Sequence, residues 1–160
     1  GGLAVGGVEP IVEERPLVCD PATAFRLFST DLSSWWPREY SFSQDALERL
    51  WIEPQVSGTA RERDAEGNEI VWGFVVACDP GGRLTLRWMI EPARTLQPDP
   101  ARASRLTLTW SPEGDGCRVR LVHDEFDRHV ADPGPYRDGL AGSPGWPRLM
   151  DLYAEACARV

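Results

Sequence analysis

The chain has 160 residues, 42% hydrophobic and 26% charged, with a formal net charge of −8. Its length fits one domain and can bury a core without metal or disulfide staples. The acidic balance excludes a nucleic-acid footprint and an anionic membrane surface as partners. All 17 basic residues are arginine, so no side-chain amine exists for Schiff-base chemistry.

Residues 1–7 are small and uncharged and read as a flexible lead into a single domain spanning 8–160. They lack the basic region and apolar stretch of a signal peptide, so a cytoplasmic location is expected. A first, irregular strand is predicted over residues 8–18, which contain Pro10 and Pro16. Asp20-Pro21 is a helix start, with an acidic cap and a proline in the first turn. A second short helix begins at Thr30 or Asp31 and must stop by Trp36, because Pro37 disfavours helical geometry before it.

The middle of the chain alternates with period two. Ile70, Trp72, Phe74, Val76 and Cys78 share one strand face, and Leu84, Leu86, Trp88 and Ile90 another. Leu106, Leu108 and Trp110 follow, then Cys117, Val119, Leu121 and His123. Turns are marked at Asp79–Gly82 and Ser111–Gly116. The opposite faces carry Arg83, Arg87, Arg105, Arg118 and Arg120, which predicts an antiparallel sheet wet on one side. Residues 127–143, rich in Gly, Pro and Asp, read as a loop. Ser143-Pro144 then starts a last helix, whose Trp146, Leu149, Met150, Tyr153 and Cys157 form one apolar stripe. That stripe needs a partner, and the apolar sheet face is available.

The seven tryptophans predict an aromatic-lined space rather than an ordinary core. Trp72, Phe74, Trp88, Trp110 and His123 are expected to face Trp146, Met150 and Tyr153 on the last helix. Trp35, Trp36, Phe42 and Trp51 are expected to wall its entrance. His123 is the one polar residue on the inner face of its strand, and His129 is expected at the surface. His123 and Asp124 fall on opposite faces, so they form no metal site with Asp127 and His129. The four cysteines lie far apart and read as free thiols. No Gly-x-Ser-x-Gly elbow or glycine-rich phosphate loop is present. No metal or cofactor is expected.

Several motifs occur in a telling order: Pro21-x-x-Ala24-Phe25-x-x-Phe28, Trp35-Trp36-Pro37, Arg118-Val119-x-Leu121-x-His123-x-x-Phe126 and Gly145-Trp146-Pro147-x-Leu149. From about residue 8 to 158 the chain resembles the START/SRPBCC superfamily, in the branch of homologues of the activator of the heat-shock chaperone ATPase. Within that branch it is similar to enediyne self-resistance proteins of the calicheamicin type. The resemblance implies an α+β helix-grip fold, a curved antiparallel sheet around a long C-terminal helix, with two short helices after the first strand. It also implies a ligand cavity and brings Phe126 into the candidate site. In the enediyne group a glycine backbone is sacrificed to the drug, but residues 83–105 here contain no glycine. The eponymous co-chaperones carry an additional N-terminal domain.

The leading expectation is a monomer or homodimer that sequesters a small apolar or aromatic molecule, without a catalytic residue. An aromatase or cyclase acting on a polyketide, with His123 as acid or base, is the first alternative. A chaperone- or protein-interaction module is the second.

Overall fold

The computed structural model describes residues 8–129 and 131–160; the expected flexible segment 1–7 lies outside them. Strand β1 (Ile11–Leu17) is followed by helix α1 (Pro21–Leu27). The Asp20 carboxylate caps α1 by accepting from the Thr23 N–H at 2.7 Å, with Pro21 in the first turn. The second short helix is one 3-10 turn, Leu32–Ser34, and two more single turns follow at Arg38–Tyr40 and Gln44–Ala46.

Six further strands complete the sheet: β2 (Leu47–Ile52), β3 (Thr59–Asp64), β4 (Glu69–Asp79), β5 (Arg83–Trp88), β6 (Ser104–Glu113) and β7 (Gly116–Asp124). Their order is β1-β7-β6-β5-β4-β3-β2, with every neighbouring pair antiparallel. Strands β2 and β3 were not expected. Thr-Ala-Arg-Glu-Arg-Asp in β3 offers no apolar alternation, because its buried positions are only Ala60 and Glu62. The turn from β6 into β7 is also tighter than expected, since Ser111–Glu113 continue the strand.

Strand β4 breaks its own alternation. Its register slips against β3 between Ala60 and Arg61, and against β5 between Val75 and Ala77. Each slip places an extra residue in β4, first Trp72 and then Val76, and shifts which positions face inward. Trp72, Gly73 and Val75 are buried, whereas Phe74 lies opposite Arg87 and Val76 is exposed. Gly73 is required here: a Cβ would lie 2.9 Å from that of Ala60. Phe74 therefore does not face the helix as strict alternation predicted.

Trp51 also departs from expectation. Leu50 and Ile52 point inward, opposite Glu62 and Ala60, so Trp51 falls on the outer face. There the guanidinium carbons of Arg49 and Arg63 lie 4.3 and 5.2 Å from its ring centroid. Two outer arginines of the central sheet are paired: Arg105 with Asp124 at 2.8 Å and Arg87 with Glu125 at 2.6 Å.

The region expected to be a loop contains helix α2 (Pro133–Ala141), capped by Asp132, which accepts from the Gly134 N–H at 3.2 Å. Helix α3 (Trp146–Ala158) buries Trp146, Leu149, Met150, Tyr153, Ala156 and Cys157. It starts at Trp146 rather than Ser143, with Gly145 as its cap residue. A Cβ on Gly145 would sit 2.2 Å from the Leu140 carbonyl oxygen, so only glycine lets α3 start this close to α2. All four cysteines are free, and among the described residues no helix is long and apolar enough to cross a membrane.

Candidate functional site

The grip between sheet and α3 has a filled half and an open half. The filled half centres on Tyr153, whose ring meets Phe28 and Trp35 at 5.1 Å each. The Trp110 indole donates to the Tyr153 hydroxyl at 2.9 Å, and that hydroxyl donates to the Ala24 carbonyl. Burial pushes the Tyr153 phenol well above its ordinary value, so it remains a neutral donor. Trp110 also meets Phe25 edge-on at 5.2 Å. The Trp35 indole donates to the Leu27 carbonyl at 2.7 Å. Trp35, Trp110, Met150 and Tyr153 are core here, and none of them walls a cleft.

At the other end the chain leaves two adjoining clefts. The larger, about 480 Å³, lies between the end of β5 with the segment after it (Trp88, Ile90, Glu91, Pro92, Arg94) and α2 with its lead (Ala131, Asp132, Pro135, Tyr136, Gly139, Leu140). The smaller, about 280 Å³, is walled by Trp36, Tyr40, Pro144, Gly145, Trp146 and Leu149, and it shares Trp88, Ile90, Arg94, Gly139 and Leu140 with the first. Indole rings frame the region: Trp88 meets Trp146 at 5.4 Å and Trp72 at 5.7 Å, and Trp36 meets Trp146 at 6.1 Å. The Trp88 indole donates to the Tyr136 hydroxyl at 2.9 Å, and that hydroxyl donates to the Ile90 carbonyl, which fixes the shared wall. Burial raises the Tyr136 phenol above its ordinary value, so this hydroxyl too keeps its proton.

Arg94 brings a cation to both clefts. It adopts a left-handed φ of 63°, donates to the Tyr40 carbonyl at 2.7 Å and lies 5.3 Å from the Phe42 ring centroid. A minor gap of about 10 Å³ extends inward between Trp36, Phe42, Glu62 and Trp72. Among the described residues, the Trp72 indole nitrogen is the one buried side-chain polar atom without a partner.

Behind the clefts runs a buried chain of hydrogen bonds. Trp146 donates its indole N–H to Nδ1 of His123 at 3.0 Å. That leaves the His123 proton on Nε2, which donates to Ser104 Oγ at 2.8 Å. The Ser104 hydroxyl then donates to His129 Nε2 at 2.7 Å, and the Ser104 backbone N–H reaches the same nitrogen at 3.2 Å. With Nε2 accepting, the His129 proton sits on Nδ1, which meets Glu91 Oε2 at 2.7 Å. Every bond therefore points the same way, from Trp146 to Glu91. His123 has no exposed surface, and its burial, reinforced by neighbouring His129, holds its pKa well below the ordinary imidazole value. His129 is buried, not at the surface as expected.

Ser104, His129 and Glu91 have the connectivity and the donor directions of a hydrolase triad, but the cleft lies at the carboxylate end and not at the serine. Ser104 is fully enclosed, which bars it from attacking a substrate. Glu91 is the member that lines a cleft.

Of the residues singled out from sequence, Trp36, Trp88 and Trp146 line the two main clefts, and Phe42 and Trp72 line the minor gap. His123 and Phe126 lie directly behind, their rings 4.3 Å apart. Trp51 and Phe74 face away. Sequence reasoning missed Glu91, Arg94, Ser104, Tyr136 and Leu140. Ser104 was within reach, because extending the inward set Trp110, Leu108, Leu106 by one step lands on it. Tyr136 and Leu140 stand four apart on a helix whose Asp-Pro start matches that of α1, but the glycines and prolines around them read as loop.

Several solved structures are similar over nearly the whole chain. The anthrahydroquino-gamma-pyrone synthase Txn09, complexed with SUM, is 28% identical, with a TM-score of 0.65 over 94% of this chain and 97% of that one. Protein MLL2253 from Mesorhizobium loti is 20% identical, with a TM-score of 0.66 over 95% and 98%. The self-sacrificing resistance protein CalC from Micromonospora echinospora is 21% identical, with a TM-score of 0.63 over 94% of each. The last two are alike in fold alone. No family model and no curated protein matches the sequence.

Proposed function

This chain has the helix-grip fold, and on that premise we propose that it binds a flat, largely apolar small molecule at the open end of the grip. One observation carries the reading: the helix–sheet interface is filled around Tyr153 yet gives way, beside Trp36, Trp88 and Trp146, to adjoining clefts of about 480 and 280 Å³. Small-molecule sites are apolar concavities of about 300–1,000 Å³ with few polar groups. Here those groups include Glu91, Arg94 and Asp132. Sequestration of an aromatic natural product fits this lining, and CalC, of the same fold, is described as a self-sacrificing resistance protein.

A second reading, a ring-forming enzyme acting on an aromatic polyketide, is favoured by the acidic Glu91 on an apolar cleft and by the 28% identity to a pyrone synthase. Titration with 1,8-dihydroxyanthraquinone, followed by indole fluorescence, tests the shared premise. Saturable quenching is expected, because three tryptophans wall the smaller cleft and its shared face. Absence of saturation across a panel of hydroxylated anthraquinones and enediynes defeats the binding reading. Chromatography of the same mixtures separates the two readings: unchanged ligand supports sequestration, and a cyclised product supports the enzyme.

A further inference from the structure

We propose that Glu91 is a general base, removing an acidic proton from the molecule held in the larger cleft, with His129 as its positioning residue. The inference rests on the reading that this cleft takes a flat apolar molecule.

Glu91 is held from two sides. Its backbone is fixed in a turn, with the Glu91 N–H donating to the Thr95 carbonyl at 2.8 Å and the Arg94 N–H donating to the Glu91 carbonyl at 2.9 Å. Its Oε2 receives the His129 Nδ1–H at 2.7 Å. The other oxygen, Oε1, has no hydrogen-bond partner among the described residues. Among the described residues no arginine pairs with this carboxylate either. Arg94, in the same cleft, spends its hydrogen bond on Tyr40, whereas Asp124 and Glu125 on the outer face are both paired with arginine. Glu91 is thus a carboxylate with one oxygen anchored and the other uncommitted, beside Trp88, Ile90 and Tyr136.

The chain of bonds behind Glu91 explains why the anchor is rigid. His129 cannot turn its Nδ1–H away, because its Nε2 is held by both the hydroxyl and the backbone N–H of Ser104. Ser104 is held in turn by His123, and His123 by Trp146 at the start of α3. Such a chain positions a base that must meet its proton within hydrogen-bond reach.

The substrate class follows from this chemistry: an aromatic or polyketide-like molecule with a proton acidified by a neighbouring carbonyl. Glu91 takes the proton from carbon, and the C–H bonding pair passes into the enolate and onto the carbonyl oxygen. The resulting carboxylic acid returns its proton to the product or to water. No oxidant or other co-reactant is needed.

The test uses 5-nitrobenzisoxazole, a flat aromatic carbon acid. A base removes its C3 proton, the C–H pair forms the nitrile, the N–O bond breaks, and coloured 2-cyano-4-nitrophenolate is released. Its unreactive analogue 5-nitroindazole reports binding by indole quenching. The wild type is expected to accelerate the elimination over buffer. Glu91→Gln, which keeps an acceptor for His129, should lower the rate by about 100-fold or more with 5-nitroindazole affinity unchanged. His129→Ala should lower kcat with KM nearly constant, and His129→Asn, with an amide donor near the Nδ1 position, should recover part of the loss. If 5-nitroindazole does not bind the wild type, this inference fails, and the binding reading fails with it only when the anthraquinone and enediyne panel does not bind either. If it binds and Glu91→Gln reacts as fast as the wild type, the binding reading stands and the assignment of Glu91 is overturned.

Discussion

Trp146, the first residue of α3, donates its indole N–H to Nδ1 of His123 on β7 at 3.0 Å, joining the two elements that grip the core. Protonating His123 at Nδ1 would break that bond and charge a site without solvent. Its pKa in the folded protein lies below the ordinary 6.5, chiefly through burial. Below pH 6.5 the unfolded chain therefore takes up a proton that the folded protein refuses. The stability this group confers is complete above that pH and declines below it by about 1.4 kcal/mol per pH unit, until the folded group itself titrates. Urea midpoints measured between about pH 7.5 and 5.5 should fall more steeply for the wild type than for His123→Gln. Parallel slopes would show that His123 is not the titrating group.

Ser104 joins the two histidines, and Ser104→Ala removes the acceptor that the His123 Nε2–H has among the described residues. A buried donor left unpaired costs about 1–3 kcal/mol. His129 keeps the backbone N–H of residue 104, so the loss should stay near one orphaned group. Chemical denaturation at neutral pH measures it, and an unchanged midpoint would contradict the bond directions given above.

Gly145→Ala places a methyl group 2.2 Å from the Leu140 carbonyl oxygen. Backbone cannot yield as a flexible side chain does, so α3 must move away from α2. Overpacking of this kind costs about 1–3 kcal/mol. Because Gly145 and Leu140 both wall the smaller cleft, ligand affinity should drop together with the melting temperature.

The aromatic residues divide into two groups for binding. Trp36→Ala should weaken capture of a hydroxylated anthraquinone by roughly ten-fold, the scale of about 0.5–1.5 kcal/mol for one aromatic pair plus some lost burial. Phe74→Ala should leave affinity as it is, because that ring stands opposite Arg87 on the outer face. Calorimetric titration of both variants gives the comparison, and equal losses would place the ligand elsewhere.

The helix-grip architecture was legible because its strongest signals are local. Alternation in β5, β6 and β7, the α3 stripe and the Asp20-Pro21 cap each depend on few residues. The site was less legible. Its wall depends on β4 changing face at Trp72 and Val76, and bulges leave no mark in period-two counting. Strand β3 escaped because it buries a glutamate: Glu62 points inward and accepts from the backbone N–H groups of Phe42 and Ser43 at 3.1 and 2.7 Å. Glu91, just ahead of Pro92 in the loop after β5, carries no periodic signal at all. His129 was expected at the surface because it sits in a segment rich in glycine and proline, and only tertiary contact with Ser104 draws it in.

Trp88, Ile90, Arg94, Gly139 and Leu140 belong to both clefts. Two small occupants would press on the same five residues, and whatever filling one chamber does to the affinity of the other, the second does to the first by the same factor. A single bent molecule reaching into both would hold its second half at high local concentration once the first is seated. On the proposed binding reading, this shared wall would select for molecular shape as well as for hydrophobicity.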